Sequence, residues 1–238
     1  MKKSLQFSIF MCVFLIGTTS RAQVTMGIRA GVNVASYAFD FGSSIPANQQ
    51  PNVNSITGLT VGIPVEIMIS KRFAIQAELN YIQKGFGSKS TSSGSSGGTT
   101  FSFSSEGKNV IDWLELPILA KAKFGSANGV GGGLFFGPSF GYGLSGKGTG
   151  TSTSTINGVT KTSTETSTLD FKRDGHSRLD IGVNIGGELT YSNFFFDARY
   201  QLGVTNMFRE DDGSSNKDIK GTTRGLGLSV GYRFLVSK

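Results

Sequence analysis

The chain has 238 residues, of which 37% are hydrophobic and only 16% charged, with 34 glycines and 5 prolines. Its formal net charge of +7 would suit an anionic partner, but Lys2, Lys3 and Arg21 belong to an N-terminal leader. Without them 20 basic residues face 16 acidic ones, so the main support for nucleic-acid binding is lost. The single cysteine, Cys12, leaves with the leader, and the rest must hold together without disulfides.

The leader reads "MKKSLQFSIFMCVFLIGTTSRAQ". Two lysines precede an apolar run from Leu5 to Ile16, and Ser20 and Ala22 stand at −3 and −1 of a cut before Gln23. That run is too short to cross a bilayer as a helix, so residues 1–22 read as a cleaved secretory signal. The residues before Cys12, "IFM", are too bulky for a lipid-attachment site. Residues 23–238 are expected to form one domain.

Apolar residues then recur at every second position in eight segments. The first, "VTMGIRAGVNVA", alternates Val24, Met26, Ile28, Ala30, Val32 and Val34. "LTVGIPVEIMI" gives Leu59 to Ile69 in the same rhythm, and "FAIQAELNYIQKG" gives Phe73, Ile75, Ala77, Leu79 and Tyr81. "WLELPILAKAKF", "VGGGLFFGPSFGYGL" and "RLDIGVNIGGELTY" continue it. "FFFDARYQLGV" sets Phe194, Phe196, Ala198, Tyr200, Leu202 and Val204 against Phe195, Asp197, Arg199, Gln201 and Gly203. "GLGLSVGYRFL" closes the series. Period two in so many segments predicts an all-β chain.

The connections alternate in length. Short turns fall at 70–72, 125–129 and 192–193, and long polar stretches near 36–55, 87–108, 146–176 and 207–221. Two of the long stretches are rich in Ser, Thr and Gly and carry little apolar surface, which predicts mobile loops or frayed hairpin extensions. Eight strands with short turns at one end and long loops at the other predict an antiparallel up-and-down barrel.

Every charge falls on the other face of the strands. That face holds Arg29, Glu66, Glu78, Lys84, Glu115, Lys121, Lys123, Arg178, Asp180, Glu188, Asp197, Arg199 and Arg233. A soluble barrel with its apolar face inward has room for about one small ligand and could not enclose so many apolar side chains. The opposite arrangement meets no such conflict: the apolar face meets lipid, and charges with small residues fill a narrow lumen. Closure also satisfies every strand edge, as a bilayer requires. The residues expected to form a lumen charge network are Arg29, Glu66, Glu78, Glu115, Lys121, Lys123, Arg178, Asp180, Glu188, Asp197, Arg199 and Arg233. Near-neutral balance favours a salt-bridged plug over a selectivity filter of one sign. A two-residue turn at Ser192 and Asn193 would set Glu188 opposite Asp197 and gather both with Arg199 and Arg233.

Other motifs are weaker. "GYGLSGKG", Gly141 to Gly148, approaches a phosphate loop, but Gly148 replaces the magnesium-binding hydroxyl and no helix follows. His176, the only histidine, lies between Asp174 and Ser177. Adjacent side chains on a strand point to opposite faces, so His176 and Ser177 would not share a proton. No catalytic residue, cofactor site or metal site is expected.

The segments "MGIRAGVNVASY", "FAIQAELNYIQKG", "WLELPILAKAKFG", "FFGPSFGYGLSGKG" and "FDARYQLGVTNM" resemble the PorT-type outer-membrane β-barrel family of Gram-negative bacteria. The resemblance spans nearly the whole chain after the leader. It implies an outer-membrane barrel of about eight strands, in a family mostly of unassigned function, one member of which is tied to protein secretion. The chain departs from many outer-membrane barrels by running past Phe234 to "LVSK" instead of ending on an aromatic residue. The expected role is a non-enzymatic surface protein whose extracellular loops serve recognition, adhesion or export. A narrow porin-like channel and a lipid A-modifying enzyme are the alternatives. The partners implied are outer-membrane lipid and lipopolysaccharide, the barrel-assembly machinery during insertion and a surface or secretion partner, with no nucleic acid. Both termini are expected in the periplasm and the long loops outside the cell.

Overall fold

Strands form wherever the apolar residues alternate, and each wall strand lies antiparallel to its neighbours. The computed structural model describes residues 23–41, 50, 52–125, 129–208 and 220–237, so the leader, the middle of the expected turn at 125–129 and parts of the first and last long connections lie outside the described residues. In chain order the strands are β1 (Val24–Asp40), β2 (Asn52–Asn54), β3 (Ile56–Met68), β4 (Phe73–Ser96), β5 (Thr99–Gly125), β6 (Val130–Ile156), β7 (Val159–Thr168), β8 (Leu179–Tyr191), β9 (Phe194–Gly203) and β10 (Lys220–Ser237). Eight of them close a ring in the order β3, β1, β10, β9, β8, β6, β5, β4 and back to β3. Pairing from Val24 with Ser237 to Asp40 with Lys220 seals first strand to last. The result is an all-β, antiparallel, up-and-down barrel of eight strands.

The pleat sorts the side chains by face. Outside, Ile28, Leu134 and Phe194 are 61, 63 and 64% exposed, and inside, Glu78 and Asp197 are 1% exposed. Such an apolar exterior is costly in water and favourable in hydrocarbon. Tyr81, Leu114 and Tyr142 share one outward rung, while Phe73, Phe124, Tyr191 and Phe194 ring the end near the termini. Nine residues of β4, Phe73 to Tyr81, separate these belts, close to the roughly 9–11 that a tilted strand needs to cross a bilayer.

The two Ser-, Thr- and Gly-rich stretches, read as mobile loops or frayed hairpin extensions, are hairpin extensions, and they are paired to their tips. β4 and β5 continue past the wall to a turn at Gly97 and Gly98, and β6 and β7 meet at Asn157 and Gly158. Both residues of each turn have positive φ, 56° and 79° in the first and 48° and 83° in the second. That is the backbone of a type I′ turn, whose twist matches the strands it joins. Threonine suits a pleated sheet, so correct turns and β-branched residues pair the chain without an apolar face. The extension is a sheet in the order β2, β4, β5, β6, β7, and the two hairpin tips are tied by Asn157 N–H to the Thr100 carbonyl, 2.9 Å, and Thr100 N–H to Asn157 Oδ1, 2.9 Å.

A small apolar core sits where this sheet leaves the ring, at the end away from the termini. Tyr37, Ile82, Ile111, Trp113, Phe171 and Met207 are buried together, with Phe39, Phe86 and Leu169 against them. Gly143 makes room for it: a Cβ there would lie 2.7 Å from the Phe171 ring and 3.5 Å from Trp113.

Candidate functional site: the charged lumen and the raised sheet

Inward positions of adjacent strands stack in rungs, so charges from strands around the ring meet in three tiers. Nearest the termini, Lys121 Nζ lies 3.0 Å from Glu66 Oε2 and 2.7 Å from Glu188 Oε1, and 3.1 Å from the Gln76 amide oxygen. Lys123, half-buried at the rim, takes the other Glu66 oxygen at 2.5 Å. Arg233 grips both Glu188 oxygens, one at 2.7 Å, and lays its guanidinium 4.2 Å over the Phe195 ring.

The middle tier centres on Arg199. It donates to both Glu78 oxygens at 2.8 and 3.0 Å and to both Asp197 oxygens at 2.9 and 2.6 Å. Its guanidinium carbon stands 5.1 Å from the Phe135 ring centre. Arg29 faces the same two carboxylates, 3.3 Å from Asp197 and 3.5 Å from Glu78. Gln76 and Asn80 donate to Glu78 at 2.5 and 2.9 Å. Glu78 therefore has an acceptor site for every donor around it, which a buried carboxylate requires.

Above them, Lys84 bridges Glu115 and Asp180, the latter at 3.1 Å, and Thr223 donates to Asp180 at 2.9 Å. Six acids and six bases thus pair inside the ring.

The sequence-based network needs two corrections. Arg178 is outside it: the side chain is exposed, donates to the Gly143 carbonyl at 3.2 Å and lies 4.4 Å over the Phe171 ring. It precedes β8 where the apolar core closes the ring, so no lumen carboxylate is within reach. The expected foursome of Glu188, Asp197, Arg199 and Arg233 also divides. Glu188 does lie opposite Asp197 in the ladder. However, Glu188 binds Arg233 and Lys121, while Asp197 binds Arg199 and Arg29. In so narrow a ring a long side chain reaches strands across the lumen, and register along one hairpin does not specify those partners. Sequence reasoning also missed Phe135 and Phe195, although their inward parity was visible.

The weaker motifs do not assemble. "GYGLSGKG" lies within β6, paired with β5 except at a bulge at Leu144, and with β8 and β7 at its two ends. His176 Nδ1 sits 2.8 Å from the Asp174 carbonyl, its ring packs on Phe208, and Ser177 donates its hydroxyl to the Leu179 carbonyl at 2.9 Å. Among the described residues no three His, Cys, Asp or Glu gather as a metal site. On the raised sheet, Ser90, Ser92, Phe103, Ser152, Ser154 and Lys161 border a cleft of about 550 Å³.

A closed ring of eight strands with an apolar exterior and a charged interior defines a transmembrane β-barrel. Residues 19–209 match the family described as "Outer membrane protein beta-barrel domain", and the chain belongs to that family. It is accordingly an integral outer-membrane protein. Among solved structures, Neisserial surface protein A is 16% identical with a TM-score of 0.38, over 88% of this chain and 97% of that one. Ail, the attachment invasion locus protein of Yersinia pestis, is 14% identical with a TM-score of 0.34, over 88% and 98%. LpxR from Salmonella typhimurium is 10% identical with a TM-score of 0.29, over 88% and 99%. No curated protein sequence matches the chain.

Proposed function

We propose that this is a non-enzymatic surface protein whose lumen is plugged and whose working part is the sheet raised outside the cell. The observation that carries this reading is the pairing of the lumen charges in three tiers beneath an apolar core. Passage of a solute would require breaking buried ion pairs, at several kcal/mol each. Eight strands also leave an interior that side chains can fill. In this reading the termini and short turns are periplasmic and the raised sheet is extracellular. Rigidly mounted surface segments are where recognition concentrates, so adhesion or a related surface role follows.

The Ser177 hydroxyl donates to the Leu179 carbonyl and His176 Nδ1 meets the Asp174 carbonyl, and this pairing of each with backbone speaks against a lipid A-modifying enzyme. The segments that resemble PorT-type barrels support membership of that group, and its export-linked role is not carried over on fold alone. The partners of this reading are outer-membrane lipid and lipopolysaccharide, the barrel-assembly machinery during insertion and a ligand of the raised sheet.

Purified protein in planar bilayers tests the plug: no conductance step is expected, and steps of uniform size would favour the narrow channel instead. Orientation is tested by an impermeant thiol reagent on whole cells, which should label Ser95→Cys and Thr155→Cys but not Ser192→Cys. Release of fatty acid from lipid A, lost in His176→Ala, would overturn the non-enzymatic reading.

A further inference from the structure

The raised sheet ends in an open edge. Among the described residues β7 pairs with β6 alone, and its other side carries unpaired backbone groups. The two-residue turn at Asn157 and Gly158 fixes which groups these are. Ile156 and Val159, flanking the turn, exchange both hydrogen bonds, and the pattern alternates from there. Val159, Lys161, Ser163, Glu165 and Ser167 therefore bond to β6, while Thr160, Thr162, Thr164 and Thr166 aim their N–H and C=O groups outward. Hydroxyl contacts of 2.9 Å for Thr155 with Thr160 and 3.3 Å for Thr153 with Thr162 agree with this phase. Non-hydrogen-bonded pairs bring side chains closer.

Natural sheets guard such an edge with proline, a bulge or a lysine. β7 has no proline, its pairing with β6 is unbroken, and it carries one lysine, Lys161. Across the ladder Lys161 faces Ser154, and Glu165 faces Gly150, so neither meets an opposite charge there. Four residues of strand, roughly 13 Å, keep the two from each other.

A second copy of the same edge resolves both. Joined about a two-fold axis, identical edges run antiparallel. Hydrogen bonding further requires outward residues to meet outward residues. With the axis at Ser163, Thr162 meets Thr164 and Thr160 meets Thr166, which exchange backbone bonds. The same register sets Lys161 opposite Glu165 of the second copy, and Glu165 opposite its Lys161. Both charge pairs fall at non-hydrogen-bonded positions, where side chains are closest. Moving the axis to Thr162 or Thr164, the adjacent permitted registers, sets both charges opposite serine or valine.

Two copies upright in one membrane are poorly placed for this joint. β6 runs from the wall to the tip as one strand, with one bulge at Leu144, and wall strands tilt about 35–45°. β7 therefore descends toward the membrane in every copy of a given membrane, whereas the joint needs opposite directions. We infer that the β7 edge pairs with the β7 edge of a copy in a facing outer membrane, making the protein a self-recognising cell-to-cell adhesin. This inference rests on the extracellular placement of the raised sheet. Nine overlapping residues span roughly 30 Å, which calls for membranes with short lipopolysaccharide. Many weak joints across two surfaces add up through avidity.

The test uses two differently coloured cell populations with truncated lipopolysaccharide, each displaying the full chain. Wild-type cells should clump. Lys161→Glu cells, and separately Glu165→Lys cells, should stay dispersed, because each variant sets like charges opposite one another. The two variants mixed should clump with each other, since the paired acids of one then face the paired bases of the other. Thr162→Pro removes an outward N–H and leaves the β6 ladder whole, and should disperse wild-type cells. Ser95→Cys labelling in the same strains reports display. Labelled strains whose mixture stays dispersed, or whose single variants clump like wild type, overturn the inference and leave the surface reading standing. Failure to label Ser95→Cys overturns both.

Discussion

Arg199 on β9 and Glu78 on β4 join opposite walls of the barrel through two parallel hydrogen bonds of 2.8 and 3.0 Å. The same guanidinium holds Asp197 on its own strand at 2.6 Å. A bidentate Arg–carboxylate pair is the strongest form of such a contact, and this one is shut off from water. Because the two strands lie far apart around the ring, the pair acts as a tie across the lumen.

Arg199→Met removes that tie and leaves Arg29 alone between two buried carboxylates. The loss expected is about 3 kcal/mol or more, since the uncompensated charge stays inside. Urea titration read by the fast-migrating folded band on unboiled gels measures it. A midpoint equal to wild type would mean that water enters the lumen and screens the tier.

Arg233→Met should cost less, about 1.5 kcal/mol. Lys121 remains 2.7 Å from Glu188, and the Arg233 side chain is already 10% exposed at the rim. The same gel assay ranks the two substitutions. The reverse order would show that the rim tier, and not the middle one, holds the barrel closed.

Much of this architecture was legible in the sequence. Period-two alternation located all eight wall strands, and the charge-free face identified lipid as the outer solvent. The turn at Ser192 and Asn193 gave the pairing of Glu188 with Asp197, which the ladder shows. Ion-pair partners were not legible, because Arg199 finds Glu78 across the lumen and one strand's register says nothing about the far wall. Arg178 was misplaced for a related reason: parity assigns a face, but not the height at which the lumen ends. The extended hairpins were partly hidden by composition. Ser- and Thr-rich sequence suggested mobility, yet "INGV" at residues 156–159 sets an Asn-Gly turn between β-branched residues, a hairpin signal in its own right. The apolar core draws Tyr37, Trp113, Phe171 and Met207 from four separate segments, so no local pattern announces it.

The turn that seats Phe171 carries a pH dependence. Asp170 Oδ1 accepts the N–H groups of Arg173, 3.1 Å, and Lys172, 3.0 Å, and these bonds hold its carboxyl below the ordinary carboxylate range. A carboxyl lowered in the folded state stabilises above its unfolded value, about 3.9, and loses that contribution as pH falls through the folded value. The turn should therefore be unchanged from pH 7 to pH 5 and loosen only below the ordinary range. Trp113, the sole tryptophan, packs beside Phe171 at Gly143 and reports on it by emission wavelength. Asp170→Ala should shift that emission to the red at pH 7. A wild-type red shift already complete at pH 5 would contradict the assignment.

The phase of β7 makes the last prediction, and it holds whatever the edge binds. If the Asn157–Gly158 turn sets the ladder as its positive φ values of 48° and 83° imply, amide exchange along β7 must alternate. In dilute, monomeric protein the amides of Lys161, Ser163, Glu165 and Ser167 should exchange slowly, being bonded to β6. Those of Thr160, Thr162, Thr164 and Thr166 should exchange at nearly the rate of a free chain. Gly158→Ala places a Cβ at a left-handed position, which costs roughly 1 kcal/mol, and should speed the slow set while leaving the wall strands protected. The opposite alternation would place the outward groups on Lys161 and Glu165 instead. Uniformly fast exchange would show that the threonine-rich hairpin does not pair, and that the open edge does not exist.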